Sequence, residues 1–202
     1  MILLNEHSIG LELKRWFSKS ILNYNDINFE NINVFKKTLD IFIYDYQRYF
    51  VAETTINLEN VLSRTELVGI LLYRISREYY LLKNEYIAQQ YALLGRFLSG
   101  FEIYYSAEIG KGLKINHGLG SVIGARVTIG ENALIHQGVT FGDKNGGRPI
   151  LLNNVTVFAG ACILGNITVG NNAVIAANCV CFINVPDDNY AIGVPAKLIN
   201  KH

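Results

Sequence analysis

Two hydrophobic rhythms run along the chain, and they exchange near residue 100. In the first half, apolar residues recur in steps of three and four. They fall at Val34, Leu39, Phe42, Ile43, Tyr46 and Phe50, then at Leu67, Ile70, Leu71 and Ile75, then at Ile87, Tyr91, Leu94, Phe97 and Leu98. That spacing puts each set on one face of a helix. Asn31 or Asn33 can cap the first helix, and Ser63 with Glu66 reads as a capping box for the second. Gly100 follows Leu98-Ser99 and ends the last. Residues 1–100 are therefore predicted to form an α-helical domain.

From Ile103 to Ile183 the period is six. Small aliphatics stand at Val157, Ile163, Val169 and Ile175, and in a second register at Val155, Ala161, Ile167, Ala173 and Cys179. Further sets run Ile103, Ile109, Ile115, then Ile123, Ile129, Ile135, Phe141. A hexapeptide period is the mark of a parallel β-helix, in which each rung buries its aliphatics under the next. Three hexapeptides close one coil of about 18 residues. The predicted class is α+β, with residues 101–202 forming the β-helix. The glycine-rich, polar run Asp143–Pro149 fits no rung and is predicted to leave the solenoid as a loop near 143–149.

Composition narrows the function. A net charge of +1 offers no footprint for nucleic acid, and only 17% of residues are charged. No apolar run approaches the roughly 18 residues of a membrane span. The first residues lack a basic, cleavable leader, which points to the cytoplasm. Cys162, Cys179 and Cys181 form no metal pattern and read as buried, reduced hydrophobes. Of the four histidines, His117 and His136 lie within the repeat, whereas His7 and His202 lie near the ends and read as solvated.

Several segments resemble the hexapeptide-repeat acyltransferases, and among them the serine O-acetyltransferase branch. They are Phe97–Ile103, Ile109-Gly110-Lys111-Gly112 leading to Asn116-His117-Gly118, Val139-Thr140-Phe141-Gly142, Ile163-Leu164-Gly165-Asn166 and Gly193-Val194-Pro195-Ala196. The resemblance implies a left-handed β-helix, a homotrimer and acetyl-CoA as donor, with no metal. The helical domain could pair two such trimers. It also implies His117 as general base, the role a group with pKa near 7 fills best. The carboxylate fifteen residues earlier is Glu102, which would orient the ring. Ala159-Gly160 and Ala176-Ala177 match small residues that approach CoA, Gly142 would begin a loop over the thioester, and Lys197 or Lys201 would meet the phosphates. His136 is a second candidate for the acceptor side.

The acceptor is where the chain departs from the branch. The branch carries an aspartate before its histidine, and here the residue is Asn116. Its loop carries an Arg-His pair, and here Arg148 runs straight into Pro149. Serine is a zwitterion and needs both charges met, so a neutral asparagine suits a polyol. The expected acceptor is thus a sugar hydroxyl of a surface polysaccharide or its precursor, with serine as the alternative. An N-acyltransferase acting on an amino-sugar and a non-catalytic scaffold are the remaining readings.

Overall fold

The computed structural model describes residues 3–20, 22 and 24–200. Lys201 and His202 lie outside them. The chain divides into two compact units, Met1–Ser99 and Gly100–His202.

The first unit is helical. Its elements are α1 (Glu6–Ser18), α2 (Ile32–Gln47), α3 (Leu58–Leu62), α4 (Thr65–Leu81) and α5 (Glu85–Ser99). Asn31 caps α2 by accepting from Val34 N–H. The Ser63–Glu66 box does not form: Ser63 closes α3, its hydroxyl donates to Asn60 O at 2.8 Å, and α4 begins after Arg64 without a side-chain cap. α1 went unpredicted, although Asn5 and Ser8 form a capping box and Ile9, Leu13 and Phe17 line one buried face. Gly10 lets that helix approach the chain at Phe29, because a Cβ there would lie 2.0 Å from Phe29 O. α2 and α4 are joined by a buried ion pair. Arg74 donates from Nε and Nη2 to the two Asp45 carboxylate oxygens at 2.8 and 3.0 Å. No helix among the described residues is long and apolar enough to cross a membrane.

The second unit is a parallel β-helix, the class the hexapeptide rhythm predicted. Its first coil holds β1 (Glu102–Ile103), β2 (Glu108–Ile109) and β3 (Lys114–Ile115), and its second β4 (Val122–Ile123), β5 (Thr128–Ile129) and β6 (Leu134–Ile135). The third holds β7 (Thr140–Gly142), β8 (Ile150–Leu151) and β9 (Thr156–Val157), and the fourth β10 (Cys162–Leu164), β11 (Thr168–Val169) and β12 (Val174–Ile175). β13 (Val180–Cys181) and β14 (Asn189–Ile192) continue the stack, and β15 (Lys197–Asn200) turns back antiparallel to β14. Stacked strands make three faces: β1-β4-β7-β10-β13, then β2-β5-β8-β11, then β3-β6-β9-β12-β14-β15.

Each two-residue rung points one aliphatic inward. Ile103, Ile123, Phe141, Ile163 and Cys181 are at most 5% exposed and share one inward column. Each such burial contributes about 1.5–3 kcal/mol. The corner between the second and third faces is held by an asparagine ladder that the repeat did not reveal. Asn132, Asn154, Asn172 and Asp188 all take φ between 56° and 60°, a left-handed conformation that Asn and Asp tolerate. Asn154 donates to Asn172 at 3.1 Å, and Asn172 donates to Asp188 at 3.0 Å.

The coils are not all of one length. Cys162 pairs with Val180, eighteen residues on. Glu102 pairs with Val122, twenty residues on, so the first coil is longer than the expected eighteen. Thr128 pairs with Ile150, twenty-two residues on. The two extra residues fall at the corner after β3, which contains His117. The four extra residues fall after β7, in the predicted loop.

Candidate active site

His117 stands on the two-residue insertion between the third and first faces. His117 and Gly118 both have positive φ, 65° and 57°, and the side chain is exposed. Asn116 precedes it and is half-buried; its N–H donates to Ile135 O at 2.8 Å, which ties the base of the insertion to the next coil. His136 lies on that coil at the same corner, opposite Asn116 in register. Its ring tilts against Phe158 with centroids 5.0 Å apart. Burial, and then the nearby charge of His117, lower the His136 pKa below its usual value. The neutral ring is therefore favoured.

Ala159 and Gly160 turn the next corner along this edge, and Ala176 and Ala177 the one after. Asn116, His117, His136 and the four small residues thus form one column. Among the described residues, the N–H groups of Ala159 and Ala177 donate to no protein acceptor, while their neighbours Gly160 and Asn178 donate along the ladder. Open amide donors beside small side chains fit the amide chain of a pantetheine arm. The smallness of Gly160 has a second cause: a Cβ there would lie 2.3 Å from Asn178 Oδ1.

Glu102 sits half-buried on β1, one layer below Val122, and its N–H donates to Ser121 O at 2.9 Å. Glu102 takes part in interactions beyond that backbone bond. Gly142 and Arg148 lie on a different edge, between the first and second faces. Arg148 donates from Nε to Ala125 O and from Nη1 to Gly147 O, both at 3.0 Å, and is ion-paired with Asp143. Its cation braces the loop it belongs to. Beside that loop is a cavity of about 690 Å³, lined by Arg126, Lys144, Arg148, Asn166 and Phe182 among others. It is not at His117. Within one chain, the histidine edge and the loop edge remain separate. Lys197, exposed on β15, stands at the far end of the third face. No group of three or more His, Cys, Asp or Glu among the described residues could hold a metal ion.

Ser121 escaped the sequence reading. It is 3% exposed and occupies the corner slot held by Val139, Ala161 and Cys179 in later coils. Its hydroxyl donates to His136 O at 3.1 Å and accepts from Val139 N–H at 3.2 Å. A polar residue in an otherwise apolar register was the available signal.

No family model matches the chain. A serine acetyltransferase of Bacillus pumilus is 36% identical over 146 residues, covering 70% of this chain and 67% of that protein. One from Helicobacter pylori is 40% identical over 137 residues, 66% of this chain and 80% of that protein. The chain belongs to the serine acetyltransferase family. Solved structures agree across nearly the whole chain. The serine acetyltransferase of Neisseria gonorrhoeae superposes with a TM-score of 0.79 at 25% identity, covering 96% of this chain and 78% of that one. A serine acetyltransferase in complex with CoA superposes with a TM-score of 0.76 at 27% identity, covering 95% and 85%. As a member, the protein is an acetyl-CoA-dependent O-acetyltransferase. The relatives favour serine, the alternative reading, over a sugar hydroxyl.

Proposed function

We propose that this serine acetyltransferase family member moves an acetyl group from acetyl-CoA to the hydroxyl of L-serine, with His117 as the general base. The observation that carries the reading is an exposed histidine on an insertion in an otherwise regular edge, in a chain 36–40% identical to serine acetyltransferases. His117 takes the proton as the hydroxyl oxygen attacks the thioester carbonyl. The tetrahedral intermediate collapses, the CoA thiolate leaves, and the protonated imidazole returns the proton to sulfur. The products are an O-acetyl ester and free CoA. Acetyl-CoA supplies the activated acyl group when bound. The open N–H groups of Ala159 and Ala177 hold its pantetheine arm, with Lys197 toward the phosphates.

Glu102 is assigned as the carboxylate that orients the His117 ring in the loaded enzyme. The protein acts as a cytoplasmic homotrimer, because one chain keeps the His117 edge and the Arg148 loop apart and a neighbouring copy would bring a loop to each histidine edge. Asn116 favours a second reading, a neutral hydroxyl on a sugar, since no fixed anion stands beside His117 in the sequence to meet an ammonium group.

The test follows thiol release from acetyl-CoA with L-serine beside neutral mono- and oligosaccharides. Serine turnover is expected, with His117→Ala lowering kcat by about 10²–10⁴-fold. Turnover of a saccharide with none of serine would replace serine by the sugar reading. Undiminished turnover by His117→Ala would remove the base assignment.

A further inference from the structure

The third-to-first corner is closed the same way in three of its four turns. Ser121 N–H donates to Gly118 O at 3.0 Å, Ala161 N–H to Phe158 O at 3.4 Å, and Cys179 N–H to Ala176 O at 3.2 Å. The fourth turn, at His136, is different. There Val139 N–H reaches the Ser121 hydroxyl, and that hydroxyl donates on to His136 O. A side-chain oxygen thus bridges the two backbone groups that pair directly in the other three turns. The same residue closes the His117 insertion through its backbone. Ser121 therefore bonds to both histidine corners at once.

We propose that Ser121 is a positioning residue for acetyl transfer, its hydroxyl setting the place of His136 relative to His117 and hence the acceptor side of the edge. The proposal rests on the reading of His117 as the base. Its physical basis is that the relay links the same two backbone groups that pair directly in the other corners, while the buried hydroxyl is itself satisfied by them. Val139 N–H and His136 O could pair directly, as their counterparts do in the other three corners. What the relay changes is position: two bonds of 3.1 and 3.2 Å stand where one would span the gap. His136 carries its ring, tilted against Phe158, within electrostatic reach of His117.

Removing the hydroxyl leaves no orphan in this turn, because the direct bond can form. Stability and activity should therefore separate, which a purely structural role would not allow. In Ser121→Ala, kcat is expected to fall about tenfold while the KM for acetyl-CoA and the melting temperature hold, because the later corners that hold the donor close without Ser121. Ser121→Thr, which keeps the hydroxyl, is expected to restore most of kcat. An unchanged kcat in Ser121→Ala would overturn the proposal, as would a parallel loss of melting temperature and kcat. A rise in the KM for acetyl-CoA in place of the kcat loss, or failure of the threonine variant while it remains folded, would also overturn it. Measuring His117→Ala alongside separates the two ideas. If that variant keeps its activity, the base reading fails. If it is dead and Ser121→Ala is normal, only the positioning role fails.

Discussion

Asp45 and Arg74 set a test of the helical unit that can be worked from their geometry. Their exposures are 0% and 3%, and two parallel bonds of 2.8 and 3.0 Å join them. Burial alone would lower the Arg74 pKa; Asp45 more than offsets this, and the pKa is raised. Replacing Asp45 by Ala leaves a guanidinium out of water without its carboxylate. Breaking a buried pair from one side costs about 3–5 kcal/mol. For a chain of this size that is a fall in melting temperature of about 6–20 °C, at roughly 2–4 °C per kcal/mol. The fluorescence of Trp16, the single tryptophan, lies on α1 and reports this unit during a urea titration. The midpoint should drop with the slope unchanged. Removing both charges, as Asp45→Leu with Arg74→Met, should recover most of the loss, since apolar pairs of similar volume are often as stable as a buried ion pair. A single variant within about 1 kcal/mol of the parent, or a double variant no better than the single, would refute this account of the pair.

Other consequences can be checked at the β-helix. The His136 pKa is lowered from 6.5 in the fold, so above that pH neither state gains a proton. As pH falls below it, the unfolded chain takes the proton first and stability drops. Urea midpoints at pH 7.5 and 5.5 should differ less in His136→Gln, and an unaltered pH slope would contradict the assignment. Burial and the neighbouring thiols of Cys181 and Cys162 push the Cys179 thiol up to about 11. A maleimide at pH 7 should therefore label half-exposed Cys162 first and reach Cys179 only after denaturation; equal native rates at the two would be the wrong result. Deleting Lys144–Gly147 should restore an eighteen-residue coil and leave the β-helix spectrum intact. The acceptor KM should rise by about tenfold, the equivalent of one hydrogen bond to a charged group. Loss of the fold would show that the hairpin is part of the core.

The period of six made the β-helix legible because the cause is local and repeated: each rung buries one aliphatic, and Ile103, Ile109 and Ile115 say so directly. The helices were legible where amphipathic runs are long. α1 was missed because its buried face includes Gly10, which reads as a breaker until Phe29 is seen against it. The Ser63–Glu66 pattern misled because Ser63 was needed to end α3, and one residue cannot serve both roles. His117, Ala159 and Ala176 were legible through the family resemblance and not through the six-residue register, which the insertions at His117 and after β7 break between them. The internal use of Arg148 was not legible, since Ala125 O lies 23 residues away in sequence and meets it only through the coil.

The insertions show how the edge carries a histidine at all. The inward aliphatics fix the rungs, so a corner can lengthen without moving either neighbour. Between Phe141 and Leu151 the added residues Lys144–Gly147 pair with each other, with Asn145 and Gly146 at φ 56° and 83°, and the hairpin closes on itself. At the other insertion the left-handed positions are not all held by residues that favour them. The third-to-first corner uses Gly120, Gly138, Gly160 and Asn178 in its four turns, with φ from 57° to 73°. His117, at 65°, is an extra left-handed residue with a bulky side chain, which costs about 1–2 kcal/mol. Arg126 and Lys83 take the same region at 63° and 61°, so the conformation alone does not mark the base; at His117 it is the two-residue insertion that requires it. The strain can be measured by comparing His117→Gly with His117→Ala. Both should be inactive, yet glycine, free of the Cβ clash, should melt about 2–8 °C above alanine. Equal melting temperatures would mean that the insertion relaxes around any residue, and that no stability is given up to hold the histidine there.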